Sequence, residues 1–168
     1  MTSPLRERFG IFHHLEFYNT DELTRIIRNS AKKLSVTIDE QAAGEIARRA
    51  RGTPRIANRL LRRVRDFVQV KTSANKIDEK NVQEAMTTLR IDTIGLDDVD
   101  RRLIQTIYQF YKGGPVGIET LSATLNEEID TIEDVVEPYL LKIGFLKRTP
   151  RGRELTESSI KHIQSARS

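Results

Sequence analysis

The chain has 168 residues, 38% hydrophobic and 31% charged, and 28 Lys and Arg against 24 Asp and Glu leave a formal net charge of +4. It holds no cysteine, which excludes disulfides and thiol chemistry. No run approaches the roughly 18 consecutive apolar residues of a membrane span, and residues 1–15 are charged with no apolar core of a secretion signal, so a soluble, cytoplasmic protein is expected.

Residues 1–18 read as irregular chain with a short strand anchored by Leu15, Phe17 and Tyr18. Asn19 starts a helix, with Glu22 as its capping-box partner and Leu23, Ile26, Ile27 and Leu34 at helical spacing. Asp39 caps a second helix carrying Ala42, Ala43, Ile46 and Ala47. The third starts at Thr53, with Pro54 at the first helical position, where a missing N–H costs nothing. Ile56, Leu60, Val64, Phe67 and Val68 mark its apolar face, and after a polar loop Asp78 caps a fourth helix through Val82, Ala85, Met86 and Leu89. Residues 19–91 thus form a four-helix unit.

Residues 91–97, with a lone Gly95, read as a linker to a second unit, 92–168. Its first helix carries Leu103, Ile104, Ile107, Phe110 and Tyr111 and stops at Gly113-Gly114-Pro115; a shorter one holds Ile118, Leu121 and Leu125. A third spans about residues 131–142, with Ile132, Val135, Val136, Tyr139 and Leu140, a Pro138 that should weaken or bend it, and Gly144 past its end. Short strands at 145–149 and 153–156, joined by Pro150-Arg151-Gly152, and a last helix from Glu157 complete a winged-helix pattern. The fold class expected is mainly α: a four-helix domain, then a winged helix with a small β-hairpin.

No Gly-x-x-x-x-Gly-Lys-[Ser/Thr] loop cradles phosphates and no metal-ligand spacing occurs. His13 and His14 are adjacent and point apart, His162 is lone, and Glu127, Glu128 and Asp130 read as a solvated helix start. Arg55 stands out, because the first turn of a helix favours anions, not cations. Either a phosphate or a surface carboxylate would account for it. Lys147, Arg148, Arg151 and Arg153 crowd the hairpin with only Glu154 to offset them, while the third helix of the second unit is acidic (Asp130, Glu133, Asp134, Glu137) and ill suited to reading bases. The arginines between Arg48 and Arg65 other than Arg55, among them Arg49 and Arg51, are expected on a solvated or subunit-contacting face.

The run from Gly52-Thr53-Pro54-Arg55 to Arg65-Asp66-Phe67 resembles the sensor-2 region of the RuvB family, bacterial Holliday-junction branch-migration motors of the AAA+ ATPase class. Thr2-Ser3-Pro4-Leu5-Arg6-Glu7-Arg8-Phe9-Gly10 is similar to the family's arginine-finger segment. Gly113 to Gly117, Glu133 to Leu140 and Gly144 to Arg153 are similar to its DNA-binding head. The resemblance implies a remnant of the ATPase core at 1–18, a lid at 19–91 and the head at 92–168, with the phosphate-binding motifs lying before Met1. It implies Arg8 (Arg6 as second choice) as the finger acting on a neighbouring subunit's nucleotide, Arg55 on the γ-phosphate of its own, and Tyr18 beside that nucleotide. It assigns DNA contacts to Arg148, Arg153, Arg151 and Lys147, and Ile129 occupies a place where an arginine is expected. ATP or ADP with Mg²⁺, duplex DNA and Holliday junctions, RuvA, RuvC and a homohexamer are the implied ligands and partners, although this stretch by itself should not hydrolyse ATP. The rival reading is a free-standing winged-helix DNA-binding regulator with a helical interaction domain, which would need neither Arg8 nor Arg55.

Overall fold

The computed structural model describes residues 16–72 and 75–165. Arg6, Arg8, His13, His14 and Leu15 lie outside the described residues. The described part of the expected N-terminal strand, residues 16–18, is not a strand; Tyr18 instead donates its N–H to the Gly52 carbonyl at 3.0 Å.

The first unit is built from α1 (Thr20–Lys33), α2 (Glu40–Arg49), α3 (Pro54–Thr72) and α4 (Glu79–Thr88). Its starts follow the capping residues. Asn19 and Glu22 exchange the two hydrogen bonds of a capping box, each 2.9 Å, and Asp39 and Asp78 accept from Ala42 and Asn81. Leu23, Ile27, Ile46, Leu60, Leu61 and Met86 are fully buried between the helices. Two-residue strands, β1 (Thr37–Ile38) and β2 (Lys76–Ile77), pair in parallel and tie the α1–α2 loop to the α3–α4 loop. Strands this short carry no alternation that a sequence reading could detect.

The second unit comprises α5 (Asp98–Tyr111), α6 (Ile118–Leu125), a third helix and the hairpin of β3 (Leu146–Thr149) and β4 (Gly152–Leu155), closed by α9 (Glu157–Ser165). The third helix is not continuous. It runs as α7 (Ile129–Thr131), a π-helical segment (Ile132–Val136) and α8 (Glu137–Lys142), and Pro138 is the physical reason. Its ring nitrogen cannot donate and its ring crowds the preceding turn, so the helix widens just before it. Val135, expected in the core, is 62% exposed on the widened segment. Phe110 also faces out, at the edge of the α5 stripe. Leu103, Ile104, Ile107, Leu121, Ile132 and Leu140 form the core, joined by Leu96 from the linker. The linker is therefore not loose chain: the Asp92 carboxylate accepts from the N–H groups of Ile94 and Leu96, pinning the turn that buries Leu96.

The hairpin gains a third edge where Val116 and Arg153 exchange backbone hydrogen bonds of 2.9 and 2.8 Å. The approach is close enough to require glycine: a Cβ on Gly152, at φ +132°, would collide with the Val116 carbonyl. The fold is mainly α, a lid-like four-helix domain followed by a winged helix.

Candidate functional site

Arg55 projects from the first turn of α3 and is exposed. With Arg59, one turn on, it lines a cleft of about 580 Å³ whose other wall is Asp134, Val135, Pro138 and Tyr139 of the second unit. Among the described residues no carboxylate forms an ion pair with either arginine, so the surface-pair explanation of Arg55 finds no partner here. A guanidinium with no acceptor among the described residues, beside a helix start, suits a phosphate, which accepts its paired donors in one plane. Tyr18 sits half-exposed over the neighbouring hollow formed by Phe17, Gly52, Thr53 and Pro54. Arg55 and Tyr18 thus flank the same Thr53-Pro54 corner.

Arg51 and Arg49 correct the expectation of a solvated or subunit-facing row. Arg51 is sunk into the seam between the two units, its side chain 10% exposed. Its Nε donates to the Gly95 carbonyl at 3.0 Å, its guanidinium pairs with Asp97 and Asp100, and the group lies 4.8 Å from the Tyr139 ring centroid. Tyr139 donates its hydroxyl to the Ile94 carbonyl, and Lys142 Nζ donates to the Arg51 carbonyl at 3.3 Å. Arg49, buried, donates to the Asp92 and Glu45 carbonyls and pairs with the Glu45 carboxylate. Burial disfavours its charge and lowers its pKa against the opposing pull of Asp92. Burial likewise pushes the Asp100 carboxyl up to about 6, with Arg51 opposing the shift and Asp97 adding to it. Glu45 is one helical turn from Arg49, but Asp92 and the acceptors of Arg51 lie more than 40 residues along the chain, beyond the reach of helical spacing.

The hairpin brings the four expected DNA-contact residues together but in unequal states. Arg151 is exposed at the tip. Lys147 is 54% exposed and faces Glu154 across the strands at 3.3 Å. Arg148 and Arg153 are directly opposite each other in the ladder, an arrangement of like charges that costs stability unless countered. Glu137 counters it. Its carboxylate, 0% exposed, accepts from Arg148 Nε at 2.7 Å and Arg153 Nε at 2.5 Å. Glu133 takes Arg153 Nη2 at 2.6 Å. Burial of the Arg153 guanidinium lowers its pKa, but these two carboxylates outweigh burial and raise it. Glu133 and Glu137 belong to the acidic helix, a poor reader of bases; their role in the hairpin depends on arginines 11 to 20 residues further on, which helical spacing does not reveal. Ile129 opens α7 at the surface, and His162 sets its ring centroid 5.2 Å from that of Phe145, tilted by 49°, with Nε2 3.5 Å from Asp92.

A four-helix lid joined through a buried arginine to a winged-helix head defines the class, the lid-and-head portion of an AAA+ subunit. Residues 18–92 match the family model for the RuvB AAA lid domain, and residues 93–164 match that for the RuvB C-terminal winged helix domain. The chain belongs to the RuvB family. It is 54% identical over 163 residues to the Holliday junction branch migration complex subunit RuvB of Ligilactobacillus salivarius, covering 97% of this chain and 48% of that protein. The Thermotoga maritima RuvB Holliday junction branch migration motor superposes with a TM-score of 0.91 at 50% identity, over 98% of this chain and 55% of that one. A point mutant of the same Thermotoga protein matches with the same TM-score at 49% identity, over 98% of this chain and 55% of that one. The chain therefore spans about half the length of the relatives it matches.

Proposed function

We propose that this chain is the lid and DNA-binding head of a motor subunit that drives branch migration of Holliday junctions by moving duplex DNA, in recombination and repair. Residues 1–18 would belong to the ATPase core, 19–91 to the lid and 92–168 to the head. The observation that carries the reading is Arg55, an exposed guanidinium without a described carboxylate partner at the start of α3, in a unit that is fixed to a winged helix whose hairpin is basic.

ATP, bound with Mg²⁺ by a core bearing a phosphate loop, would supply the free energy of the stroke. Arg55 holds the terminal phosphate through its two-pronged donor set. Release of that contact frees the lid to turn against the core, and the seam around Arg51 carries the turn to the head. Arg8, with Arg6 as the alternative, would reach the nucleotide of the adjacent subunit and stabilise charge on the transferred phosphoryl group, which calls for a ring, a homohexamer around DNA. Tyr18 flanks the nucleotide. The wing tracks phosphates rather than bases, through Arg151, Arg148 and Lys147, with Arg153 behind them. RuvA at the junction, RuvC at resolution, an SOS-response role and a bacterial cytoplasmic setting follow from the same family reading; among the described residues no helix is long and apolar enough to cross a membrane.

The test is Arg55→Ala in a subunit that joins a phosphate-loop core to this chain. The expected outcome is loss of ATP-driven junction movement, with DNA binding in the absence of nucleotide retained. Losing a charge-assisted phosphate contact costs roughly 2–3 kcal/mol in the nucleotide-bound state. Junction movement at the unaltered rate would overturn the reading.

A further inference from the structure

Arg148 and Arg153 are both expected phosphate ligands, yet their surroundings differ. Arg153 spends its Nε on Glu137 and its Nη2 on Glu133 and Glu137, and its side chain is 13% exposed. Its Nη1, like that of Arg148, has no described acceptor, but two carboxylates hold the group and its burial leaves little of it open to a ligand. Arg148 gives only its Nε and Nη2 edge to Glu137, and its side chain is 50% exposed. Its Nη1 has no described acceptor. A carboxylate that grips one edge of a guanidinium fixes the plane of the other, so the free edge is held in one orientation rather than sampling rotamers. Glu137 can do this because the π-helical segment and Pro138 bring it, fully buried, under both strands.

We propose that Glu137 is the positioning residue for a DNA-phosphate contact made by Arg148, and that Arg153 is a strut which holds Glu137 in place. The proposal rests on the reading of the wing as a DNA-binding element and deepens it: the wing offers Arg148 and Arg151 to phosphates, not Arg148, Arg151 and Arg153 alike. It also makes a prediction of sign. A carboxylate that merely neutralised the wing would weaken DNA binding, and its removal would strengthen it. A carboxylate that positions a cation strengthens DNA binding, and its removal weakens it despite the gain of one net positive charge.

The experiment measures duplex affinity of this 168-residue chain against salt concentration, with a duplex of random sequence. Arg148→Ala should weaken binding several-fold and flatten the log–log salt dependence by about 0.9, one phosphate. Glu137→Gln should do the same. So should Glu137→Asp, which keeps the charge and shortens the reach, and neither should add a further loss in the Arg148→Ala background. Tighter binding with a steeper slope in Glu137→Gln, or unaltered binding in Glu137→Asp, overturns the proposal. A normal loss on Arg148→Ala in that case leaves the wing as the DNA element and removes only the role of Glu137. No loss on Arg148→Ala overturns both. The unaltered chain offers a test free of folding defects: on adding duplex, the side-chain N–H resonances of Arg148 should shift and those of Arg153 should not. A shift at Arg153 without one at Arg148 overturns the assignment.

Discussion

Removing the Arg51 guanidinium would leave Asp100, whose side chain is 1% exposed, as a buried carboxylate facing Asp97. Breaking one side of such a pair costs roughly 3–5 kcal/mol. Arg51→Ala should therefore lower stability to urea by about that amount, and adding Asp100→Asn should recover most of it, because the lone charge is gone. A double variant as unstable as the single one would show that Arg51 matters through packing on Tyr139 and not through charge. Asp100 also sets a pH dependence. Its folded pKa of about 6 lies above its ordinary 3.8, so the folded chain binds this proton more tightly than the unfolded chain. The stability it contributes is complete below 3.8 and is lost as pH rises through 6. Urea unfolding across that window should show a flatter pH profile in Asp100→Asn than in the unaltered chain. At this scale the sequence was least legible. Arg55 could be singled out because its oddity is local, a cation where a helix start wants an anion. Arg51 and Glu137 could not, because their meaning depends on partners 49 and 11–16 residues away.

At the scale of elements, helix starts were legible wherever a short polar side chain closes the first turn, as at Asn19, Asp39 and Asp78. Pro138 announced a disturbance but not its form, since a bend, a break and a π segment all relieve the same missing donor. The hairpin strands were legible to within a residue, yet their third edge was not: Val116 pairs with Arg153 through backbone alone. That edge makes Gly152 a sensitive position. Gly152→Ala would force a Cβ against the Val116 carbonyl at a positive φ, which costs on the order of 1–3 kcal/mol as local strain. Amide exchange at Val116 and Arg153 should accelerate in this variant while the amides of α1 to α4 keep their protection. Equal acceleration in the four-helix unit would mean that the wing's edge also supports the lid.

The whole molecule is two apolar cores joined by a polar seam. Each core was readable from helical spacing, whereas the seam was read as a linker because nothing in residues 91–97 alone reveals that Leu96 is buried or that Gly95 touches the end of α2. A Cβ on Gly95, at φ +84°, would stand 2.7 Å from the Arg49 carbonyl oxygen, and backbone cannot move aside as a side chain tip can. Gly95→Ala should therefore separate the units while leaving both cores intact. Calorimetry should then resolve two unfolding transitions in the variant and one coupled transition in the unaltered chain. A single lowered transition in the variant would sink this account of the seam.

Phe17 gives the molecule a mechanical property. The residue lies against Gly52, close enough that a Cβ there would come within 2.8 Å of its own, and Lys142 Nζ stands 3.9 Å from its ring centroid. Its neighbour Tyr18 is tied to the Gly52 carbonyl. One aromatic side chain thus touches the corner that starts α3 and the residue that ends α8. A displacement of the chain at Phe17 therefore bears on two helices, α3, which carries Arg55 in its first turn, and α8, which begins at the buried Glu137 beneath the wing.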